Sequence, residues 1–195
     1  MKPLETQLEL GKRIRALGID DAPFDRERGG SVNVCGVICA KTRFEGMLWG
    51  EMTKDGWDAT EKLTSLVGES KFFDQLHVIL IDGLTLGGFN IVDLPRLHKA
   101  LELPCIAVMR RMPDWQAIDQ ALGYFDDGAE RKAILQKAGT VHDAENQCFQ
   151  LAGCEVATAK KVLGQLTDTG FVPEPLRLAH LIGSAVKKGE SGRRA

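Results

Sequence analysis

Blocks of apolar residues separated by polar turns predict an α/β protein that begins with three strands. The runs 13–19, 31–40 and 44–53 are rich in β-branched and apolar residues, and the second is apolar enough to be buried on both faces. Only short polar segments connect these runs. Short connections of this kind predict antiparallel neighbours in one sheet.

Beyond the third run the apolar spacing changes to that of helices alternating with short buried strands. Asp58 is the predicted start of a helix, and the strand-like run 76–81 follows it. That run ends at Asp82. A glycine-rich loop over 84–89 then leads to Asn90, the expected N-cap of the next helix.

The rest of the chain continues the alternation and predicts one domain. We expect a strand over 104–108, a helix over 114–122, a strand near 147–151, a helix over 155–166 and a last helix after 173–175. The charged segment before residue 147 is assigned no element. The prediction is therefore a single domain over 1–195, with flexible ends at 1–11 and 188–195.

Composition restricts the classes of partner. The 195 residues are 44% hydrophobic and 27% charged, with a formal net charge of -2, which is usual for a soluble globular protein. Bulk positive charge is absent, so any nucleic-acid contact must be local. No apolar run approaches the roughly 20 residues needed to cross a bilayer, and we expect no membrane contact.

The five cysteines predict free thiols. Their number is odd and no CxxC pair occurs, so neither a disulfide framework nor a zinc knuckle is expected. Together with a start that lacks the apolar core of a signal peptide, this predicts a cytoplasmic protein.

Two aspartates directly follow strand-like runs and form a candidate metal site. If the first strand lies parallel to the fourth, Asp20 and Asp82 meet at the edge where ligands bind in open α/β sheets. Adjacent carboxylates repel each other unless a proton or cation lies between them, and a hard ion such as Mg²⁺ or Mn²⁺ fits oxygen donors. The alternative is that both aspartates are ordinary turn-forming residues.

Four long motifs resemble an uncharacterised, endonuclease-V-like family, the domain of unknown function numbered ninety-nine. The motifs are the runs 17–24, 55–61, 81–93 and 173–180. This family is similar to endonuclease V, a Mg²⁺-dependent nuclease. The resemblance implies a ribonuclease-H-like fold with a mixed five- or six-stranded sheet flanked by helices.

The resemblance also implies roles for individual residues. Asp20 and Asp82 match metal ligands of endonuclease V, and Arg110 stands where that enzyme has a catalytic-site lysine. The enzyme has a further acidic ligand at the start of its first helix. The candidates for it here are Asp55, Asp58 and Glu61, and we select Asp58. The predicted metal ligands, Asp20, Asp58 and Asp82, form the catalytic set together with Arg110.

Other residues are predicted to line the site or to contact nucleic acid. Asp21, Asn90 and His180 are further candidates for the site. Candidates for contact with nucleic acid are Trp57 as a stacking platform, the backbone of Gly87 and Gly88 as a phosphate cradle, and Arg111 as a phosphate ligand. The alternatives are packing for the tryptophan, a tight turn for the glycines and a solvated strand end for the arginine.

Two departures from endonuclease V leave the function open. The His-Pro-Arg that follows its Asp-Gly is absent, and so is its Pro-Tyr-Ile-Pro wedge. The sequence predicts a Mg²⁺- or Mn²⁺-dependent endonuclease whose metal-activated water attacks a phosphodiester of DNA or RNA. The alternative is a catalytically silent module that binds nucleic acid, a nucleotide or a protein. The oligomeric state is not predicted.

Overall fold

The structure, a computed structural model, describes residues 4–25 and 29–192 as alternating strands and helices. In chain order the elements are α1 (Leu4–Glu9), β1 (Arg15–Asp21), β2 (Ser31–Ala40), β3 (Arg43–Thr53), α2 (Ala59–Gly68), a 3-10 turn (Phe73–Gln75), β4 (Val78–Asp82), β5 (Thr85–Leu86), β6 (Asn90–Ile91), α3 (Leu94–Leu101), β7 (Cys105–Met109), α4 (Trp115–Leu122), α5 (Gly128–Lys137), β8 (His142–Ala144), β9 (Gln147–Ala152), α6 (Val156–Leu166) and α7 (Glu174–Lys188).

Within the described residues, seven strands form one mixed sheet in the order β3-β2-β1-β4-β7-β9-β8. Strands β1, β2 and β3 are antiparallel neighbours, as their short connections predict. Strand β4 lies parallel to both β1 and β7. The expected five or six strands become seven because β8, only three residues of polar sequence, pairs with β9 at one edge.

Helices cover both faces of the sheet. Helices α2 and α3 bury their apolar faces on one side, where Ile19, Ile79 and Ile81 from β1 and β4 contribute to the core. Helices α6 and α7 pack on the other side. Ala16, Val78 and Leu80 point to that side because successive side chains of a strand face opposite sides of the sheet. This arrangement confirms the predicted mixed α/β sheet flanked by helices.

The structure corrects the expected start of the third helix. Asn90 is not an N-cap: it lies in β6, which forms a short hairpin with β5. The cap of α3 is Asp93, whose side chain accepts a hydrogen bond from Arg96 N at 3.0 Å.

The structure also contains two helices that the sequence did not predict. Helix α5 lies in the charged segment, and α1 lies within 1–11, where we expected flexibility. Leu4 of α1 is 3% exposed and belongs to the core beneath α6. Residues 1–3 and 193–195, also expected to be flexible, lie outside the described residues. Within the described ranges, no helix combines the length and apolarity needed to span a membrane.

Candidate functional site

Asp20 and Asp82 lie together at the carboxyl ends of two parallel strands. Ile19 of β1 pairs with Ile81 of β4, so each aspartate directly follows a paired residue. Because side chains alternate along a strand, the aspartates point away from the core of the two isoleucines and towards α7. Asp20 is only 6% exposed. The parallel crossover therefore brings two carboxylates to one edge of the sheet, as predicted.

Burial and the charged groups at this edge of the sheet both shift the pKa of Asp82. It is raised to about 6, mainly by burial and also by the negative charge of Asp20. The positive charges of Arg110 and His180 act in the opposite direction. Arg110 follows β7, whose Val108 pairs with Asp82, so its guanidinium belongs to the same edge. The structure thus brings together Asp20, Asp82 and Arg110.

His180 completes this group from the C-terminal helix. Its Nδ1 lies 2.9 Å from Asp20 Oδ2. This hydrogen bond raises the pKa of His180, with burial opposing it and the charge of Asp20 adding to it. The imidazole therefore gains a proton more readily than an ordinary histidine, which strengthens its interaction with the carboxylate.

Two glycines allow α7 to approach β1 closely enough for this bond. A Cβ at Gly18 would collide with the backbone of Pro175 and would lie 2.6 Å from Leu176 N. Further along, a Cβ at Gly183 would lie 3.2 Å from Ala22 Cα. The two contacts stand on either side of the Asp20–His180 pair. The position of the histidine is thus fixed by backbone packing at both ends.

Asp21 points to the opposite face of β1 and holds the glycine-rich loop. Its Oδ2 accepts a hydrogen bond from Gly87 N at 2.6 Å. The pKa of Asp21 is raised to about 6, mainly by burial, while this hydrogen bond acts in the opposite direction. Since Gly87 already donates its N–H to a carboxylate, that group does not form the expected phosphate cradle.

Asp55 holds the same loop from the other side. Its Oδ1 accepts a hydrogen bond from Phe89 N at 2.8 Å, and its own N–H donates to Gly87 O at 2.8 Å. A Cβ at Gly88 would collide with Asp55 Oδ1. Asp55 and Gly88 therefore shape the turn, which agrees with the tight-turn alternative.

The Asp58 carboxylate accepts hydrogen bonds from neighbouring residues of the fold, where the sequence predicted a metal ligand. Its carboxylate accepts hydrogen bonds from Thr53 N at 3.1 Å, Thr53 Oγ1 at 2.9 Å and Asn90 Nδ2 at 2.6 Å. Burial acts to raise the pKa of Asp58, but these hydrogen bonds outweigh it and lower the pKa. Asn90, fully buried, also accepts from Ala59 N at 2.9 Å and so ties the start of α2 to β6.

The predicted set of Asp20, Asp58 and Asp82 is not assembled. Across 4–25 and 29–192, no three or more His, Cys, Asp or Glu side chains are grouped so that they could hold a metal ion. Glu61, the remaining candidate for the third ligand, is exposed on the first turn of α2. Arg111 is exposed beside Arg110, as a solvated strand end would be.

Trp57 packs in a cluster around a residue that the sequence did not single out. Its Nε1 donates to Asp127 Oδ2 at 2.6 Å, and the Arg131 guanidinium lies 4.7 Å from its ring. Arg131 is 4% exposed and also stacks on Phe125 at 4.7 Å. This favours the packing alternative for Trp57, although 46% of the side chain remains exposed.

Arg131 connects α5 to the loops beside the site. It donates to the backbone oxygens of Asp55 at 2.9 Å, Gly56 at 3.1 Å and Phe89 at 2.5 Å, and to the Asp127 carboxylate at 2.7 Å. No local pattern in a charged segment distinguishes a buried arginine from an exposed one. The sequence therefore carried no signal for it.

Comparisons with known proteins identify a family and several relatives of similar length. The profile of a family described as endonuclease dU matches residues 12–187. A UPF0215 protein of Methanosarcina barkeri is 40% identical over 187 residues, which cover 93% of this chain and 95% of that protein. A UPF0215 protein of Thermococcus kodakarensis is 41% identical over 188 residues, covering 93% and 96%.

Solved structures show the same fold. A protein of unknown function from Archaeoglobus fulgidus superposes with a TM-score of 0.84 at 38% identity, covering 89% of this chain and 98% of that one. Endonuclease V of Bacillus subtilis gives 0.63 at 10% identity, with coverages of 97% and 84%. Ciona intestinalis endonuclease V, in complex with DNA containing an inosine followed by a ribo-adenosine, gives 0.54 at 17%, with coverages of 87% and 84%. The fold is that of endonuclease V, as the sequence resemblance implied.

Proposed function

The chain belongs to the endonuclease dU family, and from this membership we propose that it is a divalent-metal-dependent phosphodiesterase of nucleic acid. One observation carries the proposal: Asp20 and Asp82 follow the paired residues Ile19 and Ile81 of two parallel strands, and both point towards α7. Ligands of open α/β sheets bind at such carboxyl ends.

The residues at this edge fit a hard cation. Asp20 and Asp82 offer carboxylate oxygens, the donors that Mg²⁺ and Mn²⁺ prefer. Their mutual repulsion helps to raise the pKa of Asp82 to about 6, and a bound cation relieves this repulsion. These two aspartates would therefore hold the metal, which when bound polarises a phosphate and lowers the pKa of a coordinated water.

The neighbouring residues have roles of their own. His180 holds the Asp20 carboxylate through Nδ1, which leaves Nε2 as the ring nitrogen that can take up or release a proton. The planar guanidinium of Arg110 can bind a phosphate oxygen, and an arginine here does not replace a lysine as a proton carrier. His180 thus orients the Asp20 carboxylate, and Arg110 supplies positive charge at the same edge of the sheet.

Metal titration tests the ligand assignment. We expect wild-type protein to bind Mn²⁺ and Asp82→Asn to bind it roughly tenfold or more weakly, since the variant loses one of two charged donors. Asp58→Asn is the matched control and should keep wild-type affinity, because its carboxylate serves Thr53 and Asn90. Isothermal titration calorimetry measures both. Unchanged binding by Asp82→Asn would show that the ligands are assigned wrongly.

Cleavage assays test the reaction. The family description contains dU and the Ciona protein was crystallised with inosine-containing DNA, so the substrates are deoxyuridine- and inosine-containing strands with unmodified controls. We expect cutting only with Mg²⁺ or Mn²⁺ and its loss in Asp20→Asn and Asp82→Asn.

A catalytically silent binding module is the second candidate. The observation that favours it is the engagement of Asp58 with Thr53 and Asn90, which leaves two aspartates where three carboxylates were expected. Mn²⁺ binding without cleavage of any substrate would support this candidate over the enzyme.

A further inference from the structure

A basic cleft of about 730 Å³ lies where β1 leaves the sheet and α7 ends. Phe24, Lys54, Lys187 and Lys188 are among its lining residues, and Asp25 is the acidic side chain among those described. Lys187 and Lys188 are exposed at the end of α7, and their ammonium groups give this cleft a local positive charge in a chain whose net charge is -2. A local positive surface of this kind attracts phosphate.

The cleft lies further along two elements that also carry residues of the candidate site. On α7, Lys187 follows His180 by seven residues, so both share a helix face about 10 Å apart. On the other side, Phe24 follows Asp20 by four residues. The close contact of Gly183 with Ala22 holds the helix against the chain between these points. About 10 Å corresponds to roughly three nucleotide steps of a stacked strand.

Two of the lysines are held in place. Lys187 Nζ donates to Asn33 Oδ1 at 3.0 Å. The Lys54 ammonium lies 5.8 Å from the centroid of the Phe24 ring, and the residue is 9% exposed. Their charges therefore have defined positions, which reduces the entropy lost when a ligand binds.

We propose that this cleft binds the phosphate backbone of a single nucleic-acid strand beyond the phosphate at the Asp20–Asp82 edge. The inference rests on the proposed function, since that function places a strand at this edge. It adds a binding subsite, formed by the exposed Lys187 and Lys188, that is separate from the metal ligands.

The test measures the affinity of a fluorescein-labelled single-stranded DNA of about 20 nucleotides across a salt series, in EDTA and again in Ca²⁺. We expect the Lys187→Gln/Lys188→Gln variant to bind at least about tenfold more weakly than wild type at 50 mM salt. The slope of log Kd against log salt should fall by about 1.4, or about 0.7 for each lost phosphate contact. Lys160→Gln/Lys161→Gln, an exposed adjacent pair on α6, is the matched control and should behave as wild type.

A conservative variant separates charge from structure. Lys187→Arg/Lys188→Arg should keep the affinity and the salt slope. Equal affinity in wild type and the glutamine variant, equal losses in the control pair, or no binding of DNA in either buffer would each overturn the inference. Binding through this cleft without cleavage of any substrate would contradict the proposed function alone. If the protein cleaves substrate but the glutamine variant binds DNA as tightly as wild type, the result would contradict the proposed cleft subsite alone.

Discussion

At the scale of single residues, the environments of two aspartates have opposite effects on stability. Asp58 accepts hydrogen bonds from Thr53 and Asn90, which lower its pKa despite burial. Asp82 is buried beside the charge of Asp20, and its pKa rises to about 6. Ionisation of the carboxylate therefore stabilises the folded protein at Asp58 and destabilises it at Asp82.

We predict that Asp82→Asn stabilises the metal-free protein at neutral pH. A folded-state pKa of about 6 against the ordinary value of 3.8 means that the folded chain binds the proton more tightly, so wild-type stability falls as pH rises through this window. The variant lacks this loss and should be more stable by about 2 to 3 kcal/mol at pH 7, with almost no difference at about pH 3, below both pKa values. Urea unfolding in EDTA at both pH values measures it, and a destabilised variant at pH 7 would contradict the prediction.

The same substitution at Asp58 should have the opposite sign. Asp58→Asn replaces one of the two carboxylate oxygens by an amide group, so a donor on Thr53 or Asn90 loses its acceptor. We expect a loss of about 1 to 3 kcal/mol at pH 7. Urea unfolding under the same conditions provides the comparison, and a neutral result would mean that the cluster contributes little to stability.

The sequence predicted where Asp82 lies but not the hydrogen-bonded environment of Asp58. Asp82 could be placed because it ends a clear strand, and a strand end has a defined location in a parallel sheet. Asp58 could not, since whether an aspartate at a helix start is a ligand or a hydrogen-bond acceptor depends on Asn90, 32 residues away.

At the scale of elements, the contact between α7 and β1 determines the geometry at the site. The strand has a glycine where the helix crosses it, and the helix has a glycine where it reaches Ala22. Side chains at either position would separate the two backbones. The Asp20–His180 distance therefore depends on residues that do not touch either group.

We predict that Gly18→Ala weakens the Asp20–His180 bond. The new methyl would collide with Pro175 and move α7 outward, so the pKa of His180 should fall towards its ordinary value. NMR titration of the imidazole measures this shift. Gly164→Ala on α6 is the control: its Cβ would meet nothing within 4 Å, and it should leave the pKa unchanged. A His180 pKa unchanged in Gly18→Ala would show that the packing does not set this distance.

Helix α5 is attached to the site loops mainly through Arg131. Its guanidinium serves Asp127 and three backbone oxygens, and a lysine ammonium cannot reproduce this planar arrangement. We predict that Arg131→Lys costs about 2 to 4 kcal/mol, because buried oxygens lose their donors. Thermal unfolding measures it, with the exposed Lys132→Arg as control. Equal stability of wild type and Arg131→Lys would show that the Arg131 guanidinium does not attach α5 to the site loops.

At the scale of the whole molecule, the sequence predicted the sheet better than the site. The antiparallel pairing of the first three strands followed from their short connections, and the structure meets the condition that the first strand lies parallel to the fourth. The hairpin β5–β6, the helix that carries Arg131 and the hydrogen bond between Asp58 and Asn90 depend on contacts between distant segments. Such contacts leave no periodic signal in a single sequence.

The Asp20–His180 bond joins residues 160 positions apart, and this separation affects when the site can form. Loop closure over such a distance is slow, and it requires the last helix of the chain to dock on the first strand of the sheet. A chain still being synthesised exposes Asp20 long before His180 has been made. The imidazole therefore joins the carboxylates only after α7 has been made and has docked on β1, which makes assembly of the site a late step relative to formation of the first strand.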